Sequence, residues 1–281
     1  LASYRVLDIE TVPDPSVWTQ NSPTWRLATD ASFISDERAL YPAAVVQDVP
    51  FPPAQAHRVV AISWVDLSGD DNKWYFVESY ESKCMFDVDG ESEAETELLR
   101  LFADAQENDV ATLVSWNGRT FDLPVLNLRS FHKGIAWPWY YQDRDVRYRY
   151  SETGHCDMMD VLSDYGACRQ MKLGDAARLI GLPGKVGPVS GADVAALVES
   201  CRGATEKAIS ETQEKIARYC LSDSVQTAVL FLRHRFHRGM ISTPHHDAAI
   251  KTFEKNFPDV FDGDFDWSKL LIGTEPSKGR K

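Results

Sequence analysis

At 281 residues, 43% hydrophobic and 26% charged, the chain has the make-up of an ordinary globular protein: one large domain, or a domain with an appendage. A formal net charge of −12 argues against the broad basic surface with which proteins hold duplex nucleic acid non-specifically. An acidic chain meets a phosphate polymer where something else supplies positive charge, and bound divalent ions are such a source, so contact of that kind is expected to be weak, transient and metal-assisted.

The first predicted element is a short buried strand from Tyr4 to Glu10, ended by the breakers Pro13 and Pro15. An irregular insertion follows over 14–56, with Pro23, Pro42, Pro50, Pro52 and Pro53; so long a loop in a compact domain is usually functional. Val59–Val65 is the second strand, Gly69–Asn72 a turn, and Lys73–Glu78 the returning strand of a hairpin. Leu98, Leu99, Leu101 and Phe102 give 93–105 the apolar stripe of an amphipathic helix. Ala111–Trp116 is a further apolar strand, closed by the strong turn signal Asn117-Gly118. A helix is expected to begin near Phe121 with Pro124 in its first turn, where the missing N–H costs nothing.

Residues 132–156 are rich in aromatics and arginine without clear period and read as loop, with a short strand near His155. The pattern predicts a helix over Lys172–Ile180 ended by Gly181, then a long helix over about Thr205–Arg238. The capping-box spacing of Ser210 and Gln213 offers that helix an alternative start. From 241 to 281, Phe253, Phe257, Phe261, Phe265 and Trp267 stand among aspartates in a tail expected to pack on a domain formed by 1–240. Strands first, strand–helix units next and helices last predict an α/β architecture, a mixed sheet flanked by helices.

Carboxylates carry the chemical argument. Side chains alternate along a strand, so Asp8 and Glu10 project from one face while Ile9 points into the core. Two adjacent carboxylates at a strand end repel unless a cation lies between them, and hard oxygen ligands suit Mg²⁺ or Mn²⁺. Alone this is weak, because D-x-E recurs at Asp89-Gly90-Glu91 and two solvated acids would explain it equally. Asp122 follows a strand and a turn, which places it at a helix N-terminus; the bland account is a carboxylate that favours the helix start by ~0.3–1 kcal/mol. Tyr219 and Asp223, at i and i+4, share one helix face that borders an apolar set including Ile216 and Cys220. Taken singly they read as a core tyrosine and a solvated acid. The ordered set of strand D-x-E, Asp after N-G, and a late helical Y-x-x-x-D is hard to produce by chance.

Those residues resemble the motifs of the DEDD (DnaQ-like) 3′→5′ exonuclease superfamily, in the branch whose third motif carries tyrosine. More closely, the chain resembles predicted bacterial 3′→5′ exonucleases related to the proofreading domain of family B DNA polymerases. The likeness rests on Asp8-Ile-Glu-Thr-Val-Pro13, Asn117-Gly-Arg-Thr-Phe-Asp-Leu-Pro124 and Tyr219-Cys-Leu-Ser-Asp223, with support from His155–Asp160, Tyr165–Ala167 and Gly181–Lys185. It implies an RNase H-like fold and a metal-dependent exonuclease that shortens single-stranded nucleic acid from its 3′ end, DNA favoured and RNA possible. Two ions, Mg²⁺ or Mn²⁺, would clamp the scissile phosphodiester for in-line attack by water. Carried over, Asp8 bridges both ions, Glu10 and Asp223 complete the site of the ion that binds the attacking water, and Asp122 supports the second. Tyr219 would orient that water, since a phenol near its ordinary pKa of ~10 is a poor base at neutral pH. Thr11, Asn117 and Phe121 are the expected substrate contacts, the ring through base stacking, although Phe121 as plain core explains it as well. The alternatives are an exoribonuclease with the same site or a non-catalytic nucleic-acid-binding module.

Other features carry less. Cys84, Cys156, Cys168, Cys201 and Cys220 are scattered, odd in number and never spaced as C-x-x-C, which argues against a disulfide framework or zinc cage. With no signal-peptide-like start and no run of ~18 apolar residues, a cytoplasmic protein without membrane attachment is expected. Gly181–Lys185 lacks phosphate-loop spacing and reads as a helix-ending turn. His155 and Asp157 read as a structural polar pair, and His245-His246 as an exposed loop doublet. The arginines between 129 and 149 could line the path of a strand, and a solvated loop explains them equally well.

Overall fold

The computed structural model describes residues 2–14, 16–17, 45–46, 49–50, 52–69, 75–87, 93–184, 191–261, 263 and 265–273. Its strands are β1 (Ala2–Pro13), β2 (Val45–Val46), β3 (Val49–Pro50), β4 (His57–Gly69), β5 (Tyr75–Cys84), β6 (Thr112–Ser115) and β7 (His155–Asp157). The helices are α1 (Glu93–Asn108), α2 (Asp122–Lys133), α3 (Pro138–Gln142), α4 (Arg144–Arg147), α5 (Met158–Leu162), α6 (Leu173–Leu179), α7 (Gly191–Ser200), α8 (Glu206–His237) and α9 (Thr243–Asn256). Five strands form one sheet in the order β5-β4-β1-β6-β7, antiparallel from β5 to β1 and parallel from β1 to β7. This is the mixed, helix-flanked sheet expected of an RNase H-like fold.

β1 is covered on both faces, which is why it reads as a nearly continuous apolar run. Tyr4 and Val6 pack with Val225, Phe231 and Leu232 of α8 and with Ile250 and Phe253 of α9. Leu7 and Ile9 point the other way, to Leu98, Leu99 and Phe102 of α1 and Leu123, Val125 and Leu126 of α2. A third cluster joins Val12 and Val60 to Val194 and Val198 of α7 and to Ile216 of α8. Phe253, Phe257, Phe261 and Trp267 are all buried in the first cluster, alongside α8. No helix among the described residues is long and apolar enough to cross a membrane.

Several expectations are corrected. The stretch 132–156 holds two short helices, α3 and α4, too brief to show a period. α8 starts at Glu206, where the Thr205 side chain accepts from the Ala208 N–H at 3.3 Å, so the alternative start at Ser210 is not used. His245 and His246 lie within α9, not in an exposed loop: His246 is fully buried, its Nδ1 3.0 Å from Asp247 and its Nε2 3.3 Å from the Nε of Arg233. Most of the irregular insertion 14–56 and the turn at 70–72 lie outside the described residues.

The two ends of that insertion are tied together by one buried charge network. The Asp14 N–H donates to the Ala56 carbonyl at 2.7 Å. Arg129 of α2, 2% exposed, holds Glu95 of α1 through two nitrogens at 2.8 and 2.6 Å and Asp14 at 2.7 Å. Glu95 also accepts the Val59 N–H at 3.0 Å, which ties β4 to the same point. Removing the guanidinium leaves two carboxylates buried without their main counter-charge, so Arg129→Met is expected to lower stability by ~3–5 kcal/mol in urea unfolding. A loss below about 0.5 kcal/mol would show that the network is dispensable.

Candidate active site

β1, β6 and β7 run parallel, so their carboxyl ends reach one edge of the sheet. β6 stops at Ser115, opposite Leu7, while β1 continues to Pro13. Asp8 and Glu10 therefore lie beyond the last ladder partner on that side. Alternation turns both carboxylates to the face that carries Tyr4 and Val6, opposite Leu7 and Ile9.

The chain returns to them from two directions. After β6, Asn117 takes left-handed backbone with φ 64°. Gly118 follows at a point where any Cβ would lie 2.3 Å from the Ser115 hydroxyl, so the turn needs glycine there. The N–H groups of Asn117 and Arg119 both donate to the Asp157 carboxylate, at 2.9 and 3.0 Å. This turn delivers Asp122 to the first residue of α2. Its carboxylate accepts a hydrogen bond from the backbone N–H of Ile9, a donor beyond the reach of β6.

From the opposite side α8 crosses β1 and β4. The Cys220 thiol donates to the Asp8 carbonyl oxygen at 3.4 Å, and the Ser63 and Ser224 hydroxyls bond at 2.7 Å, with Ser63 directly across from Asp8 in the ladder. Cys220 and Ser224 are four residues apart and fix which face of α8 meets the sheet. Tyr219 and Asp223 form the neighbouring stripe. Asp223 accepts from the Tyr219 hydroxyl and from the Gln226 amide at 3.1 Å. One carboxylate oxygen each from Asp8, Glu10 and Asp223 then lies within 4.8 Å of the others.

Such a group is electrostatically costly. Burial comes first in holding Asp8 and Glu10 well above the ordinary carboxylate range, and repulsion from Asp223 and Asp122 adds to it. Burial likewise pushes Asp122 and Asp223 up to about 7, against the N–H of Ile9 in one case and the Tyr219 hydroxyl in the other. Burial and the three carboxylates nearby drive the Tyr219 phenol far above its usual value. Among the described residues no Lys, Arg or His forms an ion pair with Asp8, Glu10, Asp122 or Asp223. Four carboxylates with no basic partner among the described residues are a hard-oxygen set that fits divalent cations such as Mg²⁺ or Mn²⁺.

Thr11, Asn117 and Phe121 border this group along the chain, each with an internal partner. The Thr11 hydroxyl bonds His57 Nδ1 at 2.8 Å, and His57 Nε2 lies 2.9 Å from the Pro52 carbonyl, so a neutral ring accepts from Thr11 and donates to Pro52. Phe121 stands edge-on to the same ring at 5.0 Å and is half-buried against the second cluster. The Asn117 side-chain oxygen accepts from the Thr120 hydroxyl. His155 and Asp157 have separate structural roles: His155 Nε2 bonds the Ser115 hydroxyl at 2.7 Å, and Asp157 caps α5 while it holds the 117–119 turn. Gln226, Cys220, Ser63 and Ser224 were not singled out by the sequence pattern as parts of the site; only Gln226, three residues after Asp223 on the helix, had a spacing that could have flagged it.

Residues 49–267 match the family described as predicted 3′-5′ exonucleases related to the exonuclease domain of PolB. The match takes in more than half of the 281 residues, and the chain belongs to that family. Membership supports a nuclease, with nucleic acid as substrate. Asp8 and Glu10 precede the matched residues, so their place in the site rests on geometry. No curated protein matches the chain. Among solved structures it is similar to the family B DNA polymerase from the hyperthermophilic archaeon Pyrobaculum calidifontis, at 14% identity and a TM-score of 0.48. That match covers 91% of this chain and 29% of the polymerase chain, so the protein spans under a third of its length.

The raised carboxyls make a signed prediction. Asp122 and Asp223 keep protons to about 7 in the fold but lose them near ~3.9 when unfolded. The metal-free protein therefore loses stability as pH rises from about 4 to about 7, through these two groups. Divalent ions relieve the same repulsion, so Mn²⁺ should raise Tm by more at pH 8 than at pH 5.5, and Asp223→Asn should raise the metal-free Tm at pH 8. A Tm gain of equal size at both pH values would contradict the electrostatic reading.

Proposed function

We propose that this member of the predicted 3′→5′ exonuclease family hydrolyses single-stranded nucleic acid from its 3′ end, with DNA the favoured polymer and two divalent ions, Mg²⁺ or Mn²⁺, as cofactors. The observation that carries the reading is the gathering of Asp8, Glu10 and Asp223 oxygens within 4.8 Å, together with Asp122, from segments more than a hundred residues apart. A purely structural role would not gather two buried and two half-buried carboxylates with no counter-charge among the described residues.

Asp8, Glu10 and Asp223 would hold one ion, and Asp122 with Asp8 a second. The ions, when bound, supply positive charge against the scissile phosphate and make the attacking water more acidic. The Tyr219 hydroxyl donates to Asp223, which leaves its oxygen lone pairs to accept a hydrogen bond from that water. Its raised pKa keeps it protonated at neutral pH, so it positions the water and does not take its proton. Asp122 is tied to β1 by the Ile9 N–H, which sets its place beside Asp8. Phe121 would offer its half-exposed ring to the terminal base, while Thr11 and Asn117 shape the rim through their internal bonds. Water adds across the bond between phosphorus and the 3′ oxygen, releasing a nucleoside 5′-monophosphate and a strand one residue shorter.

The test is hydrolysis of 5′-labelled single-stranded DNA and RNA with Mg²⁺ or Mn²⁺, against EDTA. The parent should give a metal-dependent ladder shortening from the 3′ end, Asp8→Ala none, and Tyr219→Phe turnover slower by about 10- to 100-fold with metal binding kept. No cleavage of either strand by a metal-loaded parent would favour a binding module, and an unchanged rate for Tyr219→Phe would make that tyrosine structural.

A further inference from the structure

The segment from Pro138 to Tyr150 departs from the rest of this acidic chain. It carries exposed rings at Tyr141 (55%), Tyr148 (45%) and Tyr150 (59%), beside the exposed Arg144 and Arg147. Within the one-turn α4, Val146 is buried while Arg144 and Arg147, at i and i+3, are exposed, and Tyr148 follows as the exposed C-cap in extended backbone. The Arg144 guanidinium lies over the Tyr148 ring at 5.3 Å, and Arg147 over Tyr141 at 5.4 Å. Tyr148 and Tyr150 stand 5.8 Å apart, and Tyr150 meets Tyr165 at 5.1 Å. Among the described residues neither Arg144 nor Arg147 has a carboxylate within ion-pair distance.

This arm is held rigidly. A Cβ at Gly154 would fall 2.3 Å from the Val146 nitrogen, so the two backbones are in close contact. Arg149 clasps the buried Asp160 through two nitrogens at 2.9 and 2.7 Å. The arm is also tied to the candidate active site: Arg119, in the turn that leads to Asp122, donates to the carbonyls of Val146 and His155 at 3.5 and 3.1 Å. Exposed rings interleaved with exposed guanidinium groups that have no carboxylate partner among the described residues, Arg147 donating only to the Tyr141 carbonyl at 3.4 Å, are the makings of a stacking platform for unpaired bases and their phosphates.

We infer that the outward side of residues 141–150 binds the single-stranded nucleic acid upstream of the cleaved end, with Tyr148 and Tyr150 stacking on bases and Arg144 and Arg147 meeting phosphates. The inference rests on the nuclease reading for its substrate class. The positive charge it offers is local, two guanidinium groups that share the arm with Asp143 and Asp145, so stacking on the rings carries most of the contact.

Binding of fluorescent single strands of roughly 4 and roughly 16 nucleotides, in EDTA and across a salt series, tests it alongside hydrolysis of the short strand with Mn²⁺. Tyr148→Ala and Tyr150→Ala should each weaken the long strand about tenfold. Arg144→Gln combined with Arg147→Gln should flatten the plot of log affinity against log salt by about 1.4, and the paired Lys variants should restore it. None should change kcat on the short strand. Unchanged affinity and slope on the long strand would overturn the inference, as would a parent that binds neither strand. A parent that cleaves nothing but whose long-strand binding weakens in these variants would sink the nuclease reading and leave the surface standing.

Discussion

Mutual repulsion among four carboxylates is the constraint on which the candidate site depends. Asp8, Glu10, Asp122 and Asp223 converge in a partly dehydrated place with no basic side chain paired to them among the described residues. A fold tolerates such a cluster only if its own framework is stiff enough to resist it and if something positive joins it in use. The flanking structure supplies the stiffness. The Ile9 N–H fixes Asp122, the Cys220, Ser63 and Ser224 contacts fix α8, and Gln226 with Tyr219 fixes Asp223.

The sheet explains why these residues can meet at all. Three parallel strands deliver their ends to one edge, and the early stop of β6 leaves β1 open there. The turn after β6 and the long α8 then approach from opposite faces, so the acids converge although β1, α2 and α8 are far apart in sequence. Asp157 at the end of β7 holds the turn, and through Arg119 the same turn is joined to the aromatic arm. The chemistry and the proposed strand-binding surface are thus parts of one support.

Much of this was readable from local pattern. Period two put Asp8 and Glu10 on one face; a strand followed by N-G put Asp122 at a helix start; and i, i+4 spacing put Tyr219 beside Asp223. What escaped was tertiary. Nothing local marks Ser63 as the partner of Ser224 across 161 residues, or Arg129 as a buried charge shared by Glu95 and Asp14. His246 reads as polar surface yet is buried because Arg233 and Asp247 satisfy its ring. α7 is legible only in part: Ser190-Gly-Ala-Asp193 has capping-box spacing before the apolar run Val194–Val198, but the contact that holds the helix, Val194 and Val198 against Val12 and Val60, is tertiary.

The central claim is that the cluster exists to hold divalent ions, and calorimetric titration of Mn²⁺ into the protein at pH 7.5 tests it most directly. Saturable binding that is lost in Asp8→Asn, with the fold intact, is the result the account requires. An absence of saturable binding in the parent at millimolar Mn²⁺, or binding that Asp8→Asn leaves unchanged, would contradict it.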